Sequence, residues 1–159
     1  MIVADSGPII AFSRIGQLSL LQQVVGQVVI PEAVYVELAR RGQERPGALA
    51  VERESWIERR IIAREGVAAF SQRLGAGERE AILLSEAEQA TFLSDDRDAR
   101  EEAARRGIEV VGSLWVLGEA KRRGLITSVR PLIDQLLASG YWMHPERVVR
   151  PFLEEMGEA

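Results

Sequence analysis

The sequence contains no cysteine and one histidine in 159 residues. The first absence excludes a disulfide framework, thiolate-bound zinc and a cysteine nucleophile, and leaves the redox compartment open. The second excludes a zinc site built on histidines, since His144 has no companion, and suggests a surface or packing role for it. With His144 remote in sequence from Ser6 and Ser94 and no GxSxG segment present, a serine nucleophile is also disfavoured. Aromatics are sparse at 6%, and Trp56, Trp115 and Trp142 are scattered, which suits core packing better than a base-stacking platform. No apolar run approaches membrane-spanning length, and the first residues lack the basic start and long apolar core of a signal peptide. The expectation is a cytoplasmic protein with no membrane partner. Gly75-Ala76-Gly77 is followed by no Walker lysine, so it is not a phosphate-binding loop. Excess positive charge is missing too. Twenty Lys and Arg against 24 Asp and Glu give a net charge of −4, which argues mildly against bulk nucleic-acid binding. Basic clusters survive at Arg40-Arg41, Arg59-Arg60, Arg105-Arg106 and Lys121-Arg122-Arg123.

What is present is ordinary for a globular chain: 47% hydrophobic and 28% charged residues, long enough for one domain with its own core. Ile2–Ala4 is a short apolar strand ending at Asp5, and Ser6-Gly7-Pro8 breaks it, with Pro8 marking a helix that runs to about Val25. Val28–Ile30 is a second strand, after which Pro31 opens a helix closed by Gly42. A loop over 43–47, a helix over 48–56, a weak strand over 57–63 and a short helix over 67–74 follow. Gly75-Ala76-Gly77 reads as a flexible hinge that delivers Glu78 to a helix ending near Gln89. Thr91–Ser94 is a strand, Ala99–Arg106 a helix, Ile108–Val111 a strand, and Leu114–Arg123, Val129–Ala138 and 145–155 are helices. Short apolar strands alternating with helices predict a mostly parallel central sheet in a three-layer α/β/α sandwich.

Two strands end in acids, at Asp5 and at Asp95-Asp96, while Glu78 opens a helix and Glu37 lies on the helix after the second strand. Each acid alone also suits a turn, a cap or a solvated helix face. Together they are placed to share one sheet edge. Carboxylates in one pocket repel unless a divalent cation lies between them, and oxygen donors without Cys or paired His suit Mg²⁺ or Mn²⁺. Such ions support phosphoryl transfer.

These same residues resemble the PIN domain, a small α/β/α metal-dependent nuclease fold, over about residues 1–125, with 126–159 as a helical C-terminal extension of the same domain. Ile2-Val3-Ala4-Asp5-Ser6-Gly7-Pro8 resembles the family's opening strand and first acid, and Val36-Glu37-Leu38 its second. Gly75 to Ile82 resembles the helix start bearing the third acid, and Leu93-Ser94-Asp95-Asp96-Arg97-Asp98 the strand end bearing the fourth. The resemblance implies Asp5, Glu37, Glu78 and Asp96 as the catalytic cluster, with Asp5, Glu78 and Asp96 on the metal. Ser6, Ser94, Asp95 and Asp98 would support it. Asp95 and Asp98 stay open as alternatives to Asp96, and Glu78 stands where the family often has Asp. The implied activity is a Mg²⁺- or Mn²⁺-dependent ribonuclease acting on single-stranded RNA, of the kind found as toxins paired with an antitoxin protein. A non-catalytic binding or regulatory module on the same fold is the competing reading. Arg97, Arg100, Arg40 and Arg41 form the expected basic rim, and Val148, Val149, Phe152 and Leu153 the expected contact of a homodimer.

Overall fold

The computed structural model describes residues 1–40, 46–63, 70 and 72–159. Five strands, β1 (Ile2–Ala4), β2 (Val28–Pro31), β3 (Ile57–Arg60), β4 (Thr91–Leu93) and β5 (Val110–Val111), form one sheet in the order β3-β2-β1-β4-β5. All four pairings are parallel, with Ile2 opposite both Val28 and Thr91. Helices cover both faces. Because side chains alternate across a strand, Ala4, Ile30 and Leu93 enter one core with Phe12, Leu21, Leu117 and Ile133. Val3, Val29 and Phe92 enter the other with Ile82, Leu84 and Ala99. The expected α/β/α sandwich is therefore the observed one.

The chain first builds outward from β1 through β2 to β3, then crosses to the other side of β1 with β4 and β5. The order thus reverses between β1 and β4. In open parallel sheets, the crevice beyond the carboxyl ends of two such strands is where ligands bind.

Several local expectations change. The helix expected from Pro8 to Val25 is two, α1 (Ser6–Arg14) and α2 (Leu18–Val25), parted where Gly16 takes φ +66°. Pro8 is not its first residue: α1 starts at Ser6 because the Asp5 carboxylate accepts the Ser6 amide and caps it. α3 (Glu32–Ala39) and α4 (Ala48–Arg53) are shorter than expected. Gly42, Arg41, Gln43 to Arg45 and residues 67–69 and 71 of the helix expected over 67–74 lie outside the described residues. α5 (Ala76–Glu88) begins one residue after Gly75, so Ala76 and Gly77 are helical and no hinge exists there. α6 (Arg97–Arg105), α7 (Ser113–Arg122) and α8 (Arg130–Ala138) agree with expectation to within a residue or two. The tail divides into a π-helical turn, Pro145–Val149, and α9 (Arg150–Glu155). Of its apolar residues, Leu153 is buried, Val149 and Phe152 pack on the first core, and Val148 is exposed. Trp142 is 75% exposed and so does not pack the core, whereas Trp56 is buried. His144 caps the π-helical turn through the Arg147 amide and meets the Trp142 ring edge-on at 5.9 Å. Among the described residues, no helix is long and apolar enough to cross a membrane.

Candidate functional site

Asp5 leaves the carboxyl end of β1 and Asp96 the turn after β4, so the two flank the reversal in strand order. The Asp5 amide donates to the Leu93 carbonyl (2.9 Å), which ties the two strand ends together. Asp5 is 4% exposed. Its Oδ1 accepts the Ser6 amide (2.7 Å) and its Oδ2 the Ser94 hydroxyl (3.0 Å). Ser94 Oγ in turn accepts the Asp96 amide (3.1 Å), and the Ser6 hydroxyl donates to Glu37 Oε1 (3.1 Å). Ser6 and Ser94 thus connect three of the four acids through short polar links, and both are buried.

Glu37 on α3 and Glu78 in the first turn of α5 face each other across a cleft of about 680 Å³ that also includes Arg40. Two glycines explain how the carboxylates fit. A Cβ on Gly75 would lie 2.5 Å from Glu78 Oε2, and one on Gly77 would lie 2.8 Å from Glu37 Oε2. Both glycines have ordinary negative or helical backbones, so here glycine supplies room for acids and not flexibility.

Electrostatics links all four. Burial pushes the Asp5 carboxyl up to about 7; the neighbouring Glu78 charge adds to this, Ser6 and Ser94 oppose it, and Glu37 adds a further rise. Glu78 is also raised, first by burial and then, against hydrogen bonds from its own amide and that of Gly75, by Glu37 and Asp96. Among the described residues, none of Asp5, Glu37, Glu78 or Asp96 forms an ion pair.

The remaining acids separate. Asp95 turns away: its oxygens accept the Ser113 amide (2.7 Å) and hydroxyl (2.5 Å), and the Tyr141 hydroxyl also bonds to it. Burial and the Asp95 charge hold that phenol above its ordinary range. Asp95 thus fastens the start of α7 and the loop after α8 to the β4 end. Asp96 is exposed, and its Oδ1 caps α6 through the Ala99 amide (2.8 Å). Asp98 is half-buried in the first turn of α6. Of the expected rim, Arg40 lines the acid cleft, Arg97 pairs with Glu101 (3.0 Å) in the open, and Arg100 Nη1 donates to the Ser94 carbonyl (2.7 Å). Glu80 was not legible as a site neighbour. Buried on α5, it accepts the Ala33 amide (2.7 Å) at the start of α3 and so joins the helices that bear Glu78 and Glu37. A buried glutamate bonded 47 residues away leaves no local sequence signal.

Oxygen-only donors and a buried carboxyl pushed up to about 7 suit the chemistry of a hard divalent cation, for which Asp5, Glu78 and Asp96 are the candidate ligands. Among the described residues, as the side chains stand, no three acidic or histidine groups are gathered so as to hold an ion.

A family model described as PIN domain matches residues 1–158. Among solved structures, the chain is similar to a PilT N-terminus domain protein from the hyperthermophilic archaeon Sulfolobus solfataricus, at 16% identity and TM-score 0.51, covering 90% of this chain and 96% of that one. At that identity the likeness concerns the fold. No curated protein matches the chain.

Proposed function

The chain belongs to the PIN-domain family, and from that premise we propose that it is a divalent-metal-dependent ribonuclease hydrolysing phosphodiester bonds of single-stranded RNA. The observation that carries the reading is Asp5: a buried carboxylate at the reversal of strand order, beside Glu78 and Glu37, in an ion pair with no cation among the described residues. An isolated buried charge is costly, and a site that retains one has a use for it.

Asp5, Glu78 and Asp96 would hold the ion, Mg²⁺ or Mn²⁺, with Asp98 as the substitute for Asp96. When bound, that ion supplies the positive charge that makes a phosphodiester attackable and its leaving oxygen stable. Glu37 has the task of orienting the attacking water and taking its proton. Its carboxylate is exposed to the cleft and steadied on one oxygen by Ser6. Ser94 holds Asp5 and the Asp96 amide in register. Arg40, Arg41, Arg97 and Arg100 meet the phosphates, so binding weakens steeply with salt. We read residues 1–159 as one cytoplasmic domain, the toxin of a pair with an antitoxin protein and a homodimer. The net charge of −4 favours the alternative, a non-catalytic nucleic-acid-binding or regulatory module.

The test compares wild type with Asp96→Asn on unstructured and structured RNA in Mn²⁺. Cleavage of the unstructured strand should be lost in the variant. Unchanged cleavage by the variant would remove Asp96 from the site, and no cleavage by either protein would put the binding module first.

A further inference from the structure

A second concavity, of about 590 Å³, is lined by Asp95 and by two residues of the basic rim, Arg97 and Arg100. Trp115, Tyr141, Val110 and Met143 supply apolar wall, and Arg97 and Arg100 bring two guanidinium groups to it. Trp115 is only partly buried. The Arg97 side chain is 89% exposed, and an ion pair as open as its contact with Glu101 is weak and readily exchanged. Arg100 is anchored by one nitrogen on the Ser94 carbonyl (2.7 Å), which leaves further donors in its fork. Asp95 lines this concavity, and the next residue along the chain is Asp96. Consecutive Cα atoms lie about 3.8 Å apart, so the concavity begins one residue from the proposed site of cleavage.

Resting on the ribonuclease reading, we propose that this concavity is a base-binding subsite: it takes one unpaired nucleobase of the RNA strand against Trp115, with the adjoining phosphate on Arg97 and Arg100. An aromatic side chain in the lining with cations beside it matches a base and its phosphate, because every base offers a face to stack while its backbone is anionic. An added peptide strand is the poorer occupant. β5 borders the concavity as the sheet's edge but is two residues long, so it offers few main-chain bonds. The subsite also gives a reason for single-stranded substrate, since a base within a duplex is not free to enter.

Binding of short RNA oligonucleotides to Asp5→Asn, which should bind without cutting, tests this. An abasic nucleotide is placed at each position in turn, and tryptophan emission is followed. One abasic position should lower affinity about fivefold to a hundredfold, as expected for about 1–3 kcal/mol of stacking per base. Emission should be quenched on binding, and Asp5→Asn combined with Trp115→Phe should bind with little loss but without that quench. The phenylalanine variant keeps an aromatic face, so folding and stacking are both retained. Equal affinity at every abasic position, or a quench that survives Trp115→Phe, overturns the subsite and leaves the ribonuclease reading standing. Failure of the folded protein to bind any oligonucleotide overturns both. A change of oligomeric state in Trp115→Ser with RNA affinity intact overturns the subsite in favour of a contact between copies of this chain.

Discussion

Asp5 carries a local conflict between burial and charge. In the unfolded chain it titrates near 3.8, and in the fold it is pushed up to about 7. Between those values the folded protein keeps a proton that the unfolded chain has released, so stability falls as pH rises from about 4 to about 7 and is level beyond. Ionising it in the fold costs up to about 4 kcal/mol. Asp5→Asn should therefore make the metal-free protein more stable at pH 8, by about 1–3 kcal/mol, and bring no gain at pH 4. The gain is less than the full cost because the amide keeps an acceptor for the Ser6 amide but presents a donor to Ser94. Thermal melts in chelator at both pH values check this. Adding Mn²⁺ should reverse the order at pH 8, raising wild type and leaving the variant unmoved. Equal melting of wild type with and without millimolar metal would remove the cation from the site. Asp5 was legible as a candidate because an apolar strand ends on it. A cap was among the roles the sequence allowed it, and the fold uses it so; what Pro8 misplaced was the start of α1, because its start signal is valid for the first turn but lies two residues inside it.

Between elements, α3 and α5 carry Glu37 and Glu78, and they meet through small side chains and one buried acid. Gly75→Ala and Gly77→Ala would each place a methyl group against a carboxylate oxygen, at 2.5 Å and 2.8 Å. Both carboxylates end flexible side chains, so each should swing aside at little cost. At Gly77 the Val34 methyl, 3.2 Å from the new Cβ, must also give slightly, offset by about 1 kcal/mol of helix propensity. The expected outcome is stability within about 1 kcal/mol of wild type, with the stabilisation by Mn²⁺ much reduced. Full metal response in both would mean that the positions of Glu37 and Glu78 are unimportant. Glu80→Ala should behave differently, costing about 1–3 kcal/mol because the Ala33 amide loses its partner. Glu80→Gln, which keeps an acceptor, should restore most of it. The strands and the helices closed by Gly107, Gly124 and Gly140 were readable, since apolar runs and glycines at positive φ are local signals. The break at Gly16 was not, because Phe12, Ile15, Leu18 and Leu21 keep helical spacing across it. Neither was the purpose of the glycines before Glu78: a residue chosen for space looks in sequence like one chosen for flexibility.

Across the whole molecule, the last few residues close the structure by a charge. α8 begins without a side-chain cap of its own, and the Glu158 carboxylate takes that place. It accepts the Val129 and Arg130 amides (2.9 and 3.1 Å), the Ser128 hydroxyl and the Lys121 ammonium (2.8 Å). Burial works against its charge, but these donors outweigh it and bring the carboxyl down to about 2 from 4.5. Here the linkage runs opposite to that of Asp5. The contribution is fully present above about pH 5 and is lost as the pH falls toward 2, since the unfolded chain takes up its proton first. Glu158→Ala should cost about 2 kcal/mol at neutral pH, with the gap narrowing as the solution is acidified below pH 5. Glu158→Gln should fall between the two, keeping acceptor oxygen without charge. Apart from that cap, the extension reaches the site's border through Tyr141 on Asp95. The Glu158→Ala loss should therefore be local: in hydrogen exchange the Val129 and Arg130 amides open faster, while those of Ser6 and Ala99, held by Asp5 and Asp96, keep their protection. A stability loss of equal size at pH 4 and pH 7 would assign the effect to packing, and faster exchange at Ser6 and Ala99 as well would make the clasp part of the site.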